Sequence, residues 1–193
     1  MFKLSTIFGL SDRIDLRQVL FHGLAYSFYG SPSLYDHTFK RFDKILGSSA
    51  ILSRKKQAES FGQTFDNINI DDGGTAEPFA PNWNGEDFIS ICMKLENGLD
   101  GPHGDNPFEY YVQNGVSIIL SKDILKRLTI RAGRHETMTG EIQIFDKIPS
   151  EYFIGVGVGL HFLKKTSVIA DIISKNNCKL TMYSVENGKE IKG

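Results

Sequence analysis

Cysteine is scarce in this chain. There are two in 193 residues, Cys92 and Cys178, and both sit inside apolar patterns. They could pair in space, but the pattern reads as two buried free thiols. A zinc site would want more ligands at tighter spacing. Net charge is almost absent as well, with 22 Lys and Arg against 23 Asp and Glu. That balance announces no polyanionic partner, although a basic patch can sit inside a neutral total. No run approaches the roughly 20 apolar residues that span a bilayer. The opening M-F-K-L-S-T-I-F-G-L-S-D-R has no long apolar core and no small-residue cleavage site, so it does not read as a Sec signal. These absences fit a soluble protein that works in a cytoplasm, or one delivered into a host or target cell without a Sec signal.

Several familiar signatures are missing too. G-V-G-V-G at 155–159 is not the dinucleotide fingerprint, because its glycines alternate and no helix opens at once. Alternating glycine fits a strand with close backbone packing. D-D-G-G and D-G-P-H-G-D do not match the twelve-residue calcium loop. His103 with Asp100 and Asp105 is the nearest approach to a metal cluster. No Gly-x-Ser-x-Gly elbow is present, so nucleophilic hydrolysis has little support. There is no internal repeat and no low-complexity tract.

What is present is a globular composition. Hydrophobic residues make up 40% and aromatics 11%, with Phe alone at 14 residues. The length suits a single domain over residues 1–193, large enough to bury a sizeable core. The V-L-F run at 19–21 is β-capable, and His22-Gly23 follows it, with Gly23 free to make a backbone turn. Leu34, Phe39, Phe42, Ile45 and Leu46 have the spacing of an amphipathic helix, with Gly47 as its stop. A short extended piece and a helical turn follow in S-S-A-I-L-S-R-K-K-Q-A-E-S.

Residues 66–86 read as a long irregular loop, rich in Gly, Pro and acids, with Phe79 and Trp83 packing on something. A second loop covers 96–107, and P-F-E-Y-Y-V-Q-N after it reads as a short helix. Strands are expected in D-F-I-S-I-C-M-K-L, G-V-S-I-I-L-S-K-D, L-T-I-R, E-I-Q-I-F-D and Y-F-I-G-V-G-V. T-S-V-I-A-D-I-I-S-K-N-N reads as a helix with Asn at its end. A last strand and an Asn-Gly turn close the chain. Strict β-α-β alternation is absent. The expectation is an α+β fold with mixed or antiparallel sheets, few helices and long loops.

Three polar marks stand on or beside these strands in a telling order. His22-Gly23 comes early, in L-F-H-G. Ser90 lies mid-chain, in D-F-I-S-I-C-M-K. Glu141 comes late, where the polar stretch R-H-E-T-M-T-G gives way to E-I-Q-I-F-D-K-I-P-S-E-Y-F-I-G-V. The order resembles the ADP-ribosyltransferase superfamily over residues 20–158. F-D-K-I-L-G-S-S-A-I-L-S-R is similar to that family's segment at the outer end of its cleft.

The resemblance implies a split β-sheet core that binds NAD in a cleft between two small sheets. It implies Glu141 as the catalytic carboxylate, and His22, Gly23, Ser90 and Arg54 as groups that hold NAD. Lys55 is an alternative phosphate contact. No metal is expected. Breaking the nicotinamide–ribose bond develops an oxocarbenium-like sugar, which a carboxylate near the ribose stabilises. Neutral imidazole at His22 suits a ribose or adenosine hydroxyl. Gly23 lets backbone approach the nicotinamide amide, and a Ser90 hydroxyl can hold nicotinamide or ribose. A cation such as Arg54 suits the phosphates.

Each residue also has a plainer reading. His22 fits a satisfied core or surface histidine, Ser90 a tolerated small strand residue, and Glu141 a solvated carboxylate. Arg54, Lys55 and Lys56 fit a solvated charged face. The sequence departs from the family pattern as well. Ile91 and Cys92 follow Ser90 where a Ser-Thr-Ser motif would continue. Position 139 is Thr, where arginine-modifying members carry Glu or Gln, and Glu136 stands five residues before Glu141.

Three functions are therefore open. One is transfer of ADP-ribose from NAD to a protein or nucleic-acid acceptor, as a bacterial toxin or effector would do. Another is a catalytically silent module of the same fold. The third is an RNA 2'-phosphotransferase-like enzyme, which would want more arginine than is evident. Arg134, His135 and Glu136 are candidates for substrate reading, and the two long loops for acceptor choice.

Overall fold

The computed structural model describes residues 24–29, 35–60, 87–93, 115–132 and 141–192. In chain order the elements are β1 (Leu24–Tyr29), α1 (Tyr35–Ser48), β2 (Ala50–Ile51), α2 (Arg54–Ser60), β3 (Ile89–Met93), β4 (Gly115–Leu120), α3 (Ile124–Arg127), β5 (Ile130–Ala132), β6 (Glu141–Ile144), β7 (Ile148–Pro149), β8 (Phe153–Val158), α4 (Thr166–Lys175), β9 (Met182–Ser184) and β10 (Glu190–Ile191). Short 3-10 helices occupy Ser150–Tyr152 and Leu160–Lys165. This is an α+β chain, as the sequence pattern predicts.

Eight strands hydrogen-bond in the order β10-β9-β8-β4-β1-β3-β6-β5, and β2 pairs with β7 in a separate ribbon. Every pairing is antiparallel except β8 with β9. The family resemblance implies two small sheets. Eight of the ten described strands join in one continuous order, because β1 bonds to β4 on one side and β3 on the other.

Alternation sorts the side chains. Leu24, Ile91, Ile118, Ile142, Ile144, Val156 and Val158 form one apolar face, and all belong to the main core cluster. Phe42, Ile45, Leu46, Ile169 and Ile173 bring α1 and α4 into the same cluster. The opposite face is more mixed, with Ile119 buried beside smaller or more polar residues. Ala25, Cys92, Ser117 and Gln143 lie there and are also buried. β4 is buried along its whole length, which explains its near-continuous apolar sequence.

One strand is new and one expectation needs correction. L-A-Y-S-F-Y, directly after His22-Gly23, alternates with period two, and β1 begins at Leu24. V-L-F at 19–21 lies outside the described residues. Gly47 does not end α1. The helix runs on to Ser48, and the left-handed residue is Ser49, at φ 55°. The Ser48 hydroxyl bonds the Ile45 and Ala50 carbonyls, which settles the turn without glycine. Gly47 serves packing: a Cβ there would lie 3.1 Å from Asn176 Oδ1.

Asn176 belongs to a pin between α1 and α4. Lys175 Nζ donates to Asp43 Oδ2 at 2.7 Å, and Asn176 Nδ2 donates to Asp43 Oδ1 at 2.8 Å. The hydrogen bonds from Lys175 and then Asn176 hold the Asp43 carboxyl below its ordinary range, against a smaller opposing effect of burial. Asn177 ends α4 in the left-handed region at φ 53°, as its place in the sequence predicts. The alternating glycines of β8 also follow their sequence reading. A Cβ on Gly155 would stand 3.1 Å from the Tyr183 ring and 3.3 Å from the Thr181 carbonyl oxygen. The cysteines are both free, Cys92 buried and Cys178 only half-buried.

Two stability predictions follow from this packing. Gly155→Ala should destabilise by about 1–3 kcal/mol, because the backbone oxygen cannot move aside; a urea midpoint near that of the parent would refute the close contact. The Asp43 pin is partly exposed, so Asp43→Asn should cost only about 0.5–1 kcal/mol at neutral pH. A carboxyl with a depressed folded pKa contributes above its unfolded pKa and loses that contribution as pH falls through the folded value. Urea titrations of parent and variant should therefore converge towards about pH 2.

Candidate functional site

The sequence candidates divide into three groups. Glu141 is the first residue of β6, Ser90 the second residue of β3, and Arg54 the first residue of α2. His22 and Gly23 lie outside the described residues and immediately precede Leu24 of β1 in sequence. Outside them too are Arg134, His135, Glu136 and Thr139, the Asp100–His103–Asp105 group, the short helix read at 107–114 and both long loops. Lys55 and Lys56 are exposed on α2.

Register brings the strand candidates together. The Cα of Glu141 is paired with that of Cys92, and Cys92 is paired in turn with Ala25. One row therefore crosses β1, β3 and β6 through Ala25, Cys92 and Glu141. Ser90 precedes Cys92 by two on β3 and lies on the side of the row away from the start of β1, because β1 and β3 run antiparallel. Ser90 is itself opposite Gln143, and Gln143 is opposite Arg131. Adjacent strands lie about 4.8 Å apart, so the row spans about 10 Å from β1 to β6. That is the scale of a nucleoside. Segments far apart in sequence thus meet on three neighbouring strands.

Arg54 opens α2, a helix tied to the sheet face of Leu24 and Tyr26, opposite the face of Ala25, Cys92 and Gln143. Helix α2 is tied to β1 inside the molecule. Gln57 Nε2 donates to Tyr26 Oη at 2.9 Å and to the Leu52 carbonyl at 2.7 Å. The Tyr26 hydroxyl donates back to Gln57 Oε1 at 3.2 Å, and Arg41 Nη2 donates to Tyr26 Oη at 3.4 Å. Arg41 is 2% exposed and Gln57 5% exposed. Burial pulls the Arg41 guanidinium below its ordinary pKa, while the Tyr26 hydroxyl acts the other way.

The N-terminal end of α2 is held from β3. The Lys55 amide donates to Asp87 Oδ1 at 3.0 Å, and Asp87 stands just before β3. Ser53 has the residue type and place of a helix cap. Its buried hydroxyl makes no hydrogen bond among the described residues. The capping is therefore done from another segment. At the other end of α2, the Lys44 ammonium of α1 donates to the Ser60 carbonyl.

Tyr26, Arg41 and Gln57 are absent from the sequence candidates. One signal for Arg41 is legible afterwards. It lies three residues after Thr38 and four before Ile45, on the buried stripe of α1. A charge on an apolar stripe needs a partner. Nothing local marks Gln57 or Tyr26, because their bonds link positions 31 apart.

Among the described residues, no group of three or more His, Cys, Asp or Glu is placed to hold a metal ion. Among them, too, no helix is long and apolar enough to cross a membrane. No protein-family model matches the chain, and no curated protein matches it.

The β3–β6 register carries its own prediction. Directly opposed antiparallel residues have Cα separations of about 4.5–5.5 Å, within disulfide range. Glu141→Cys should therefore form a disulfide with Cys92 under mild oxidation of the folded protein. Gln143→Cys sits diagonal to Cys92 and should not. Crosslinking by the second variant in preference to the first would move the register and separate Glu141 from the row.

Proposed function

We propose that this chain is an NAD-dependent ADP-ribosyltransferase with an ADP-ribosyltransferase-like core. It cleaves the nicotinamide–ribose bond and passes ADP-ribose to a macromolecular acceptor, a protein or a nucleic acid, as a toxin or effector does. The observation that supports this most is the strand order, with β3 and β6 adjacent and β1 beside β3. His22-Gly23 leads directly into β1, Ser90 lies on β3, and Glu141 opens β6 at the β1–β3–β6 row.

The chemistry on this reading is simple. The bond between ribose C1' and the nicotinamide nitrogen breaks, and its electron pair leaves with neutral nicotinamide. Positive charge develops across C1' and the ring oxygen of the sugar. The Glu141 carboxylate stabilises that charge and orients a ribose hydroxyl. An acceptor nucleophile then bonds to C1' and gives up a proton. His22 and Gly23 hold the nucleoside and nicotinamide side, Ser90 fixes the reacting end, and Arg54 faces the phosphates. Thr139 argues against arginine as the acceptor, since the acid or amide of arginine-modifying members is missing there.

The test is nicotinamide release from NAD by the purified chain. Glu141→Gln should lower the rate by about 100-fold or more, with the melting temperature unchanged. Full activity in that variant would remove Glu141 from the chemistry. NAD binding without release by the parent would instead favour the catalytically silent module, for which Ile91 and Cys92 after Ser90 are the relevant departures.

A further inference from the structure

We infer that α2 is a strap that opens apart from the sheet, with Gln57 and Tyr26 as its latch, independently of any transferase activity. Helices α1 and α4 enter the apolar cluster through Phe42, Ile45, Leu46, Ile169 and Ile173. Helix α2 has a different footing. Lys55, Lys56, Glu59 and Ser60 are exposed, and Gln57 is the one buried side chain of α2 among the described residues. The helix has seven residues. Isolated helices shorter than about 12–15 residues are marginal in water. Closure of α2 therefore depends on what ties it to the rest of the molecule.

The ties are polar and unequal. The Lys55 amide donates to Asp87 Oδ1, and the Lys44 ammonium donates to the Ser60 carbonyl. Both lie at the exposed surface, where water competes for the same groups. The Gln57 amide is the buried tie. Its Nε2 donates to Tyr26 Oη at 2.9 Å and to the Leu52 carbonyl at 2.7 Å, and its Oε1 accepts from Tyr26 Oη at 3.2 Å. The two halves of this latch are anchored differently. Tyr26 belongs to β1, which is bonded on both edges, and Arg41 of α1 donates to its hydroxyl. That hydroxyl keeps its place when α2 leaves, so reclosure meets a preformed acceptor. Gln57 moves with the helix. Opening exchanges protein hydrogen bonds for water, whereas unfolding the sheet exposes the whole apolar cluster. The first costs far less than the second, which makes α2 a low-stability element on a high-stability sheet.

Native-state hydrogen exchange on the full chain tests the strap, with the amides of Gln57 to Ser60 compared with those of Val116 to Leu120 in β4. In the parent, the α2 amides should exchange at least about 100-fold faster than those of β4. Their rate should barely respond to low urea, because opening exposes little surface, while the β4 rate climbs. Gln57→Ala should speed α2 exchange by about tenfold more. Tyr26→Phe carries the same comparison if Gln57→Ala does not fold. Asp43→Asn is the control. It loosens α1 from α4 in the open and closed forms alike, so it should speed β4 and leave α2 at the parent rate. Equal rates and equal urea dependence for α2 and β4 in the parent would overturn the strap. So would α2 exchange as fast as unstructured chain, since nothing would then be latched. A parent-like α2 rate in folded Gln57→Ala, or an equal rise in Asp43→Asn, would overturn the latch.

Discussion

The two-sided pairing of β1 is the constraint on which the rest of the structure depends. Leu24–Tyr29 bonds to all of β4 on one edge and to the end of β3 on the other. Without it the sheet falls into two parts, β10-β9-β8-β4 and β3-β6-β5. The apolar face that receives α1 and α4 would lose its continuity. A row that joins an early, a middle and a late segment would no longer exist. A central strand can take this role because both its faces are covered. Leu24 and Ala25 point to opposite sides, and both are buried.

Polar chemistry inside this core is confined and directional. Most of the main cluster is aliphatic and aromatic, yet Arg41, Gln57 and the Tyr26 hydroxyl meet beneath α1 and α2. Buried polar groups persist where they are bonded, and they then define geometry more sharply than apolar packing does. The exposed pin at Asp43 has a different character. Water reaches its partners, so it trims the α1–α4 contact without defining it. The two cases separate what orients the molecule from what merely fastens it.

Much of the fold is legible in the sequence where periodicity is strong. G-V-S-I-I-L, E-I-Q-I and F-I-G-V-G-V are strands, and T-S-V-I-A-D-I-I-S-K is a helix with its asparagine end. β1 escapes the reading because L-A-Y-S-F-Y hides its alternation among small and aromatic residues. Gly47 misleads for a related reason. A glycine near a helix end usually stops it, but here the missing side chain admits Asn176 from α4. The strand order that makes neighbours of β1, β3 and β6 is tertiary and leaves no local trace. The same holds for the hydrogen bonds of Gln57, since no short-range pattern foretells a partner 31 positions away.

The central claim is that NAD is read where β1, β3 and β6 meet. Amide chemical shifts on addition of NAD to isotopically labelled protein address it most directly. The account predicts that Leu24 and Ala25, Ser90 to Cys92, and Glu141 to Gln143 shift together along one saturable curve. Shifts confined to the β9–β10 edge, or no shifts at millimolar NAD, would contradict it.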